Sequence, residues 1–288
     1  MEISVILPIH NAASTLKLCL EALRREFPQG AECEILCVNN GSTDCSVEIV
    51  RSFPEVVLLH ESKPGAYAAR NCGAGVAQGD ILAFTDPDCV VCEGWGVALR
   101  EAFRSYCCLV ALGMRRPAPD TGLNRLLGDY EVAKDRWVLT GSEPLKYYGF
   151  TNTMAVSRST WEMYGPFDDR PRGADTIFVR RVVDRAGCAA VGYVPGMRVS
   201  HLEIDGPATY LKKAFIYGRS LQSYRRTVVS MPLTFRDRWH VFRAAAKEND
   251  YGPIRYGALA VLLLSGMGAW SLGGLAGRLA ENKNTIQE

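Results

Sequence analysis

Short apolar runs alternating with helical patterns constrain this chain more than any other feature. Residues 3–8, 34–39, 56–60 and 81–85 are nearly continuous apolar stretches of strand length. Ser14 is expected to cap a helix with Leu16, Leu20 and Leu23 at helical spacing, and further helical patterns cover about 45–52 and 66–76. A fifth strand is expected over 109–114. Strands buried on both faces read as unbroken apolar runs, and the helices between them supply the crossovers. The expected fold class is α/β, a Rossmann-like, mostly parallel sheet flanked by helices. Ligands of such sheets sit at the carboxyl ends of the strands. Pro8–Asn11, Asn39–Asp44 and Thr85–Asp88 all fall there, so polar loops converge on one edge, as a nucleotide-like ligand requires.

One of those strand ends carries its own chemistry. Residues 79–88 (GDILAFTDPD) run from an apolar strand straight into Asp86 and Asp88. Side chains two apart on an extended segment point the same way, so both carboxylates can reach one point in space. Converging carboxylates repel unless a cation or shared proton lies between them, and hard divalent cations bridge carboxylates to phosphate oxygens. Asp-Pro-Asp is also ordinary turn chemistry, which taken alone is an equal reading.

The second half is less regular. Strands are expected over 151–157 and 189–192, and helices over 176–185, 207–226 and 235–247. Residues 256–275 (YGALAVLLLSGMGAWSLGGL) contain no charged residue over a length that can cross a bilayer. A buried or interfacial helical hairpin is the alternative. Residues 207–288 hold 12 Lys/Arg against 5 Asp/Glu, while the preceding 206 residues hold 21 against 26. A basic tail on an acidic body seeks an anionic surface, and no basic run with interleaved aromatics points to nucleic acid. The expected partner is therefore a membrane surface or bilayer, not nucleic acid. The basic load lies upstream of the apolar stretch, which places the main domain on the cytoplasmic face of the membrane. The chain opens directly on a strand-like ISVILP, so no secretory leader is expected and its ten cysteines read as reduced thiols. Cys89 and Cys92 form a CxxC, but no second pair gives zinc spacing.

Taken in order, these segments resemble the inverting glycosyltransferases of family two, which have the GT-A fold. Ser4–Asn11 (SVILPIHN) resembles the family's first nucleotide-binding strand, and Val38–Asp44 (VNNGSTD) its second nucleotide loop. Gly65–Gly79 looks like the helix leading to the DxD strand, Asp86-Pro87-Asp88 matches the DxD motif, and Trp95 stands soon after it. Gly149-Phe150-Thr151-Asn152 resembles the glycine loop near donor and acceptor. Gly165–Asp168 (GPFD) with Gly173-Ala174-Asp175 is similar to the segment of the catalytic base, and Val199-Ser200-His201 to that of the late histidine. The resemblance covers about residues 3–226.

The resemblance implies a site. Pro8, His10, Asn11, Asn39, Asn40, Ser42 and Arg70 would border the nucleotide, and Asp88 and His201 would hold Mn²⁺ or Mg²⁺. Asp86 would meet the ribose, or the metal through water, and sequence leaves both open. Asp175 would be the general base, and could equally cap the helix that follows it. Asn152 would lie on the acceptor side. The implied reaction moves a single sugar from a nucleotide-sugar donor, expected to carry uridine, to a saccharide or lipid-linked acceptor. The processive Gln-x-x-Arg-Trp signature is not matched, since Gln222 is followed by Ser223-Tyr224-Arg225-Arg226. Ala174 stands where the family frequently has Glu, and the Asn39-Asn40 pair where it commonly has an Asp. Those departures support the alternative of a catalytically weakened binding or scaffold subunit at the membrane. Expected domains are 1–206 (catalytic), 207–250 (amphipathic helices) and 251–288 (a membrane-associated helix and tail).

Overall fold

A computed structural model describes residues 2–28, 32–105, 108–202, 206–225, 227 and 229–285. Its contacts divide the chain into two compact units, Met1–Arg115 with Val138–Leu202, and Arg116–Trp137 with Glu203–Glu288.

In the first unit, β1 (Ile3–Ile9), α1 (Leu16–Glu26), β2 (Cys33–Asn39), α2 (Ser46–Arg51), β3 (Val56–His60), α3 (Ala66–Val76) and β4 (Ile81–Thr85) alternate as the apolar runs require. They are followed by β5 (Cys89–Val91), α4 (Trp95–Ser105) and β6 (Val110–Pro117), whose last residues pass into the second unit with most of α5 (Gly122–Leu139). The first unit resumes with β7 (Thr153–Ser157), α6 (Arg158–Tyr164), α7 (Ala174–Ala186) and β8 (Val191–His201). The sheet order is β3-β2-β1-β4-β7-β6-β8-β5. β1 pairs in parallel with β2 and β4, and β2 with β3. Beyond β4 the pairing turns antiparallel, in β4–β7, β6–β7 and β5–β8. The sheet is therefore mixed, and the expected parallel arrangement holds for its first four strands in spatial order.

Alternating residues of β1 serve two layers. Val5 and Leu7 pack with Leu16, Leu20 and Leu23 of α1 and with Trp95 and Leu99 of α4. Ile6 faces the other way, so close to α3 that a Cβ on Gly73 would lie 2.7 Å from its Cγ2. On that second face Phe84, Trp161, Phe167 and Phe178 form a cluster of tilted and edge-on rings, with centroids 5.0–5.6 Å apart. Each such ring removes roughly 150–250 Å² from water. Both faces of the sheet are thus covered, and only its strand ends are left for a ligand.

Three local features differ from the sequence reading. The three-residue β5 intervenes before the strand expected as the fifth. Of the strand expected at 189–192, residues 189–190 belong to a 3₁₀ turn, Cys188–Ala190, and 191–192 open the long β8. Ser14 does not cap α1; Thr15 is its N-cap and makes no side-chain bond there. Cys19, Cys33, Cys37, Cys45, Cys72, Cys89, Cys92 and Cys188 are free thiols.

The second unit holds α5 and, after it, α8 (Pro207–Arg225), α9 (Phe235–Glu248) and α10 (Pro253–Thr285). Leu126, Leu127, Tyr130 and Ala133 of α5 share one core with Val241, Phe242 and Ala245 of α9 and Leu259 and Leu262 of α10. Residues of α9 and α10 thus lie in one unit and share one core with α5. α8 and α10 touch backbone to backbone: a Cβ on Gly273 would lie 2.0 Å from the Phe215 carbonyl oxygen. Such close glycine contacts suit helices in an apolar medium. Pro253–Leu279 is long and apolar enough to cross a membrane, with mean hydropathy 1.7 and only 22% of its most apolar window buried. Val261, Leu264, Leu272 and Leu275 are exposed along it.

Candidate active site

The donor side is built where β1 and β2 end together. Their register sets Ile9 opposite Asn39, so the loops that follow emerge side by side. The Asn11 and Ala12 N–H groups donate to the hydroxyls of Ser42 (3.1 Å) and Ser46 (2.9 Å), and Ala13 N–H donates to Asp44 (3.0 Å). Asn11 has positive φ, 50°, and its Oδ1 accepts from Thr43 N–H at 2.8 Å. The Ser46 hydroxyl, with the Ala13 amide behind it, holds the Asp44 carboxyl below the usual range. Pro8 lies buried within β1.

The adjacent asparagines also tie the surrounding loops together. Asn40 Nδ2 donates to the carbonyls of Glu61 and Lys63, each at 2.8 Å, and its Oδ1 accepts from Gly65 N–H at 2.7 Å. The Asn40 side chain is a clamp on the loop between β3 and α3. Asn39 Oδ1 accepts from Ser42 N–H at 3.1 Å, and its amide lies 3.3 Å from His60 Nδ1. The exposed His10 is steered by Nδ1, 2.8 Å from the Asn40 carbonyl oxygen.

At the end of β4 the two aspartates diverge. Arg70 reaches up from α3 and pairs with Asp86 Oδ1. Arg70 is 5% exposed, so this is a buried charge with a specific partner rather than a solvated helix face. Asp88 turns to His201, whose Nε2 lies 3.1 Å from Asp88 Oδ2. The reason is register: β5 pairs with β8 so that Cys89 stands opposite His201, which brings the imidazole beside the preceding residue. One donor atom each from Asp88, Cys89 and His201 lies within 4.8 Å of the others. The Cys89 thiol is fully buried and points its hydrogen at Asp88 Oδ1, 3.6 Å away. That leaves a carboxylate oxygen and an imidazole nitrogen, both partly exposed, as a donor set that fits a divalent cation, and imidazole suits Mn²⁺ better than Mg²⁺. Asp86, committed to Arg70, is not part of that cluster.

Asp175 is the second residue of α7, after the fully buried Ala174. Its Oδ1 accepts the Thr176 N–H at 2.7 Å, and the Tyr67 hydroxyl also donates to the carboxylate. Burial raises its affinity for a proton above that of an ordinary carboxyl. The Thr176 amide, Tyr67 and Arg70 pull the other way, and the Asp86 charge adds to the rise. Tyr67 and Arg70 are three apart on α3, so one helix face reaches both Asp175 and Asp86. The Arg70 guanidinium carbon sits 5.4 Å from the centre of the Tyr67 ring. The sequence reading passed over Tyr67; its spacing from Arg70 was the available signal.

The loop before β7 packs against the start of α7 beside Asp175. Gly149 lies against the α7 backbone: a Cβ there would be 2.5 Å from the Asp175 carbonyl oxygen. Only a residue without Cβ allows that approach. Asn152 is 7% exposed, its carbonyl accepts from the Thr85 hydroxyl at 3.0 Å, and its Oδ1 is buried without a hydrogen-bond partner among the described residues. A buried acceptor left open is rare and marks a place where a donor belongs. Asp168 is held by Arg181 and Arg170, and Trp95 is core, its indole N–H 3.3 Å from the Thr153 hydroxyl.

The acidic and histidine side chains thus meet at the strand ends of a mixed sheet. Residues 4–160, more than half of the chain, match the family described as Glycosyl transferase family 2, and the chain belongs to that family. A 98-residue stretch is 38% identical to the glycosyltransferase AglE of Haloferax volcanii, covering 32% of each chain. The likeness thus spans about a third of that relative. Among solved structures, the mannosyltransferase PcManGT of Pyrobaculum calidifontis, in complex with GDP-Man and Mn²⁺, superposes with a TM-score of 0.59 at 19% identity. It covers all of this chain and 81% of its own. The glucosyl-3-phosphoglycerate synthase of Mycobacterium tuberculosis, in complex with Mn²⁺, UDP and phosphoglyceric acid, gives 0.52 at 19% identity over 69% of this chain and 70% of its own. These likenesses establish the GT-A fold.

Proposed function

We propose that the protein moves a single sugar from a nucleoside-diphosphate sugar, with uridine as the base, to a hydroxyl acceptor, with inversion at the anomeric carbon. The observation that supports this best is the arrangement at the sheet edge: Asp88 beside His201, and Asp86 tied through Arg70 to the surroundings of Asp175. Asp88 and His201 are the residues that would hold a divalent cation, which when bound supplies Lewis-acid neutralisation of diphosphate charge. Arg70, fixed by Asp86, places a permanent positive charge beside the same region. Asn152 Oδ1 accepts a hydrogen bond from the acceptor and orients it. Asp175 takes the hydroxyl proton as the acceptor oxygen attacks the anomeric carbon and the bond to the diphosphate breaks. The proposed acceptor is a lipid-linked or envelope saccharide on the cytoplasmic face of the membrane, a reading supported by the exposed apolar α10 and the basic residues before it.

The test is calorimetric titration with UDP, GDP and dTDP, with and without Mn²⁺, followed by donor hydrolysis with the matching sugar nucleotides. Metal-dependent binding of one nucleotide and hydrolysis of its sugar conjugates are expected. Binding of none, in folded protein with metal present, would overturn the transferase reading in favour of a scaffold role.

The setting of Asp175 predicts a pH effect. A general base works only when ionised, so the rate falls as pH drops through its raised pKa. Tyr67 donates to the ionised form, and Tyr67→Phe removes that support. The acid limb of the kcat profile is expected to move to higher pH, with the alkaline limb in place. An unmoved limb would mean that Asp175 is not the titrating base.

A further inference from the structure

Helix α9 carries a face for which the transfer chemistry has no use. At ~100° per residue, Phe235, Arg236, Trp239, His240, Arg243 and Lys247 fall within roughly 140° of one another, and all six are exposed. The opposite side, Val241, Phe242 and Ala245, is buried in the core of the second unit. Arg236, Trp239, His240, Arg243 and Lys247 line a groove of about 760 Å³, together with Tyr251 and Tyr256, and no acidic residue lines it among the described residues. The acidic residues of α9 are engaged elsewhere: Asp237 closes the capping box with Thr234, and Glu248 pairs with Arg136 of α5. Five residues beyond α9 begins Pro253–Leu279, the one helix among the described residues with the length and apolarity of a membrane span.

We infer that this face of α9 docks on an anionic phospholipid surface, with Arg236, Arg243 and Lys247 on headgroup phosphates and Phe235 and Trp239 entering the boundary with the acyl chains. Charge complementarity identifies the occupant, because three permanent cations share the groove with no carboxylate among its described lining residues. The aromatic edge separates a bilayer from a soluble polyanion. Phe235 is 73% exposed and Trp239 47%, and large apolar side chains beside a basic stripe are the pattern of a helix lying in a membrane interface. Continuity with α10 adds geometry: a helix ending a few residues before a span is held near headgroup level once the span inserts. The inference deepens the membrane association proposed above and is separable from the transfer reaction, since none of these side chains belongs to the candidate active site.

The test compares the full chain with an Arg236→Gln/Arg243→Gln/Lys247→Gln variant. Both are diluted from mild detergent into vesicles of phosphatidylcholine alone, or with about one third phosphatidylglycerol, and floated. Binding to neutral vesicles reports insertion of α10 and should be equal for the two chains. The excess binding to anionic vesicles should fall on the order of 100-fold in partition coefficient in the variant. Donor hydrolysis equal to the parent's shows that the variant is folded. Brominated phosphatidylglycerol should quench part of the emission, and that part should be missing from Trp239→Phe. Equal anionic excess in parent and variant would overturn the proposal. So would loss of the parent's excess to millimolar inorganic phosphate or to RNA at constant ionic strength, since the groove would then serve a soluble anion.

Discussion

Asp175→Asn is expected to lower kcat for sugar transfer about 10³-fold, the middle of the range for removing a positioned general base. Nucleotide binding should be unchanged. The substitution is nearly isosteric, and an Asn Oδ1 can still accept from Thr176 N–H and from the Tyr67 hydroxyl. What disappears is the ability to take a proton. The same change should stabilise the fold at neutral pH. Burial raises the native pKa of Asp175 above its unfolded value, so the native state holds the proton more tightly, and stability is lost as pH rises from the unfolded value through the folded one. A neutral amide escapes that loss. Urea midpoints at pH 7 should therefore rise in the variant while transfer collapses, a combination expected of a functional residue held at a cost to the fold. Transfer within tenfold of wild type would remove Asp175 from the chemistry and leave it a first-turn carboxylate of α7, whose N-cap is Gly173 and not Asp175.

The sequence carried the parallel part of the fold because β1, β4 and most of β2 are buried on both faces, and these with the more open edge strand β3 read as nearly unbroken apolar runs. It carried less where a segment owes its structure to a distant partner. β5 is three residues, Cys89–Val91, too short for any local pattern, and exists through its pairing with Val199–His201. That pairing is also what brings His201 to Asp88. The order of the two residues along the chain was legible, but their 3.1 Å separation depends on a register across more than a hundred residues. α5 offered no strong stripe, because part of its apolar face is matched by residues after 240 that share its core. Asn40 shows another limit. Its place in the VNNGSTD loop put it among the residues expected to border the nucleotide, but its bonds to the carbonyls of Glu61 and Lys63 and to the Gly65 N–H depend on a loop more than twenty residues away.

Removing Asp88 should be as damaging as removing the base, by a different route. Asp88→Ala is expected to abolish Mn²⁺-dependent nucleotide binding and to lower kcat/KM by on the order of 10³-fold, since charge neutralisation by a bound cation is worth several kcal/mol in the transition state. His201→Ala should fall between, at roughly 10- to 100-fold, the range for losing a neutral group that supports a metal ligand. The two side chains are 3.1 Å apart and would serve one ion, so the double variant should lose no more than Asp88→Ala alone. Additive losses would mean two independent tasks and would argue against a shared cation. The informative case is His201→Ala with unchanged Mn²⁺ affinity but a raised KM for the donor. His201 would then be the residue that orients Asp88 rather than a ligand, and Asp88, with Arg70 and Asp86 alongside, would have to anchor the diphosphate without it. The measurement is a Mn²⁺ titration of nucleotide binding in wild type, both single variants and the double, because steady-state rates alone cannot separate loss of the ion from loss of the donor.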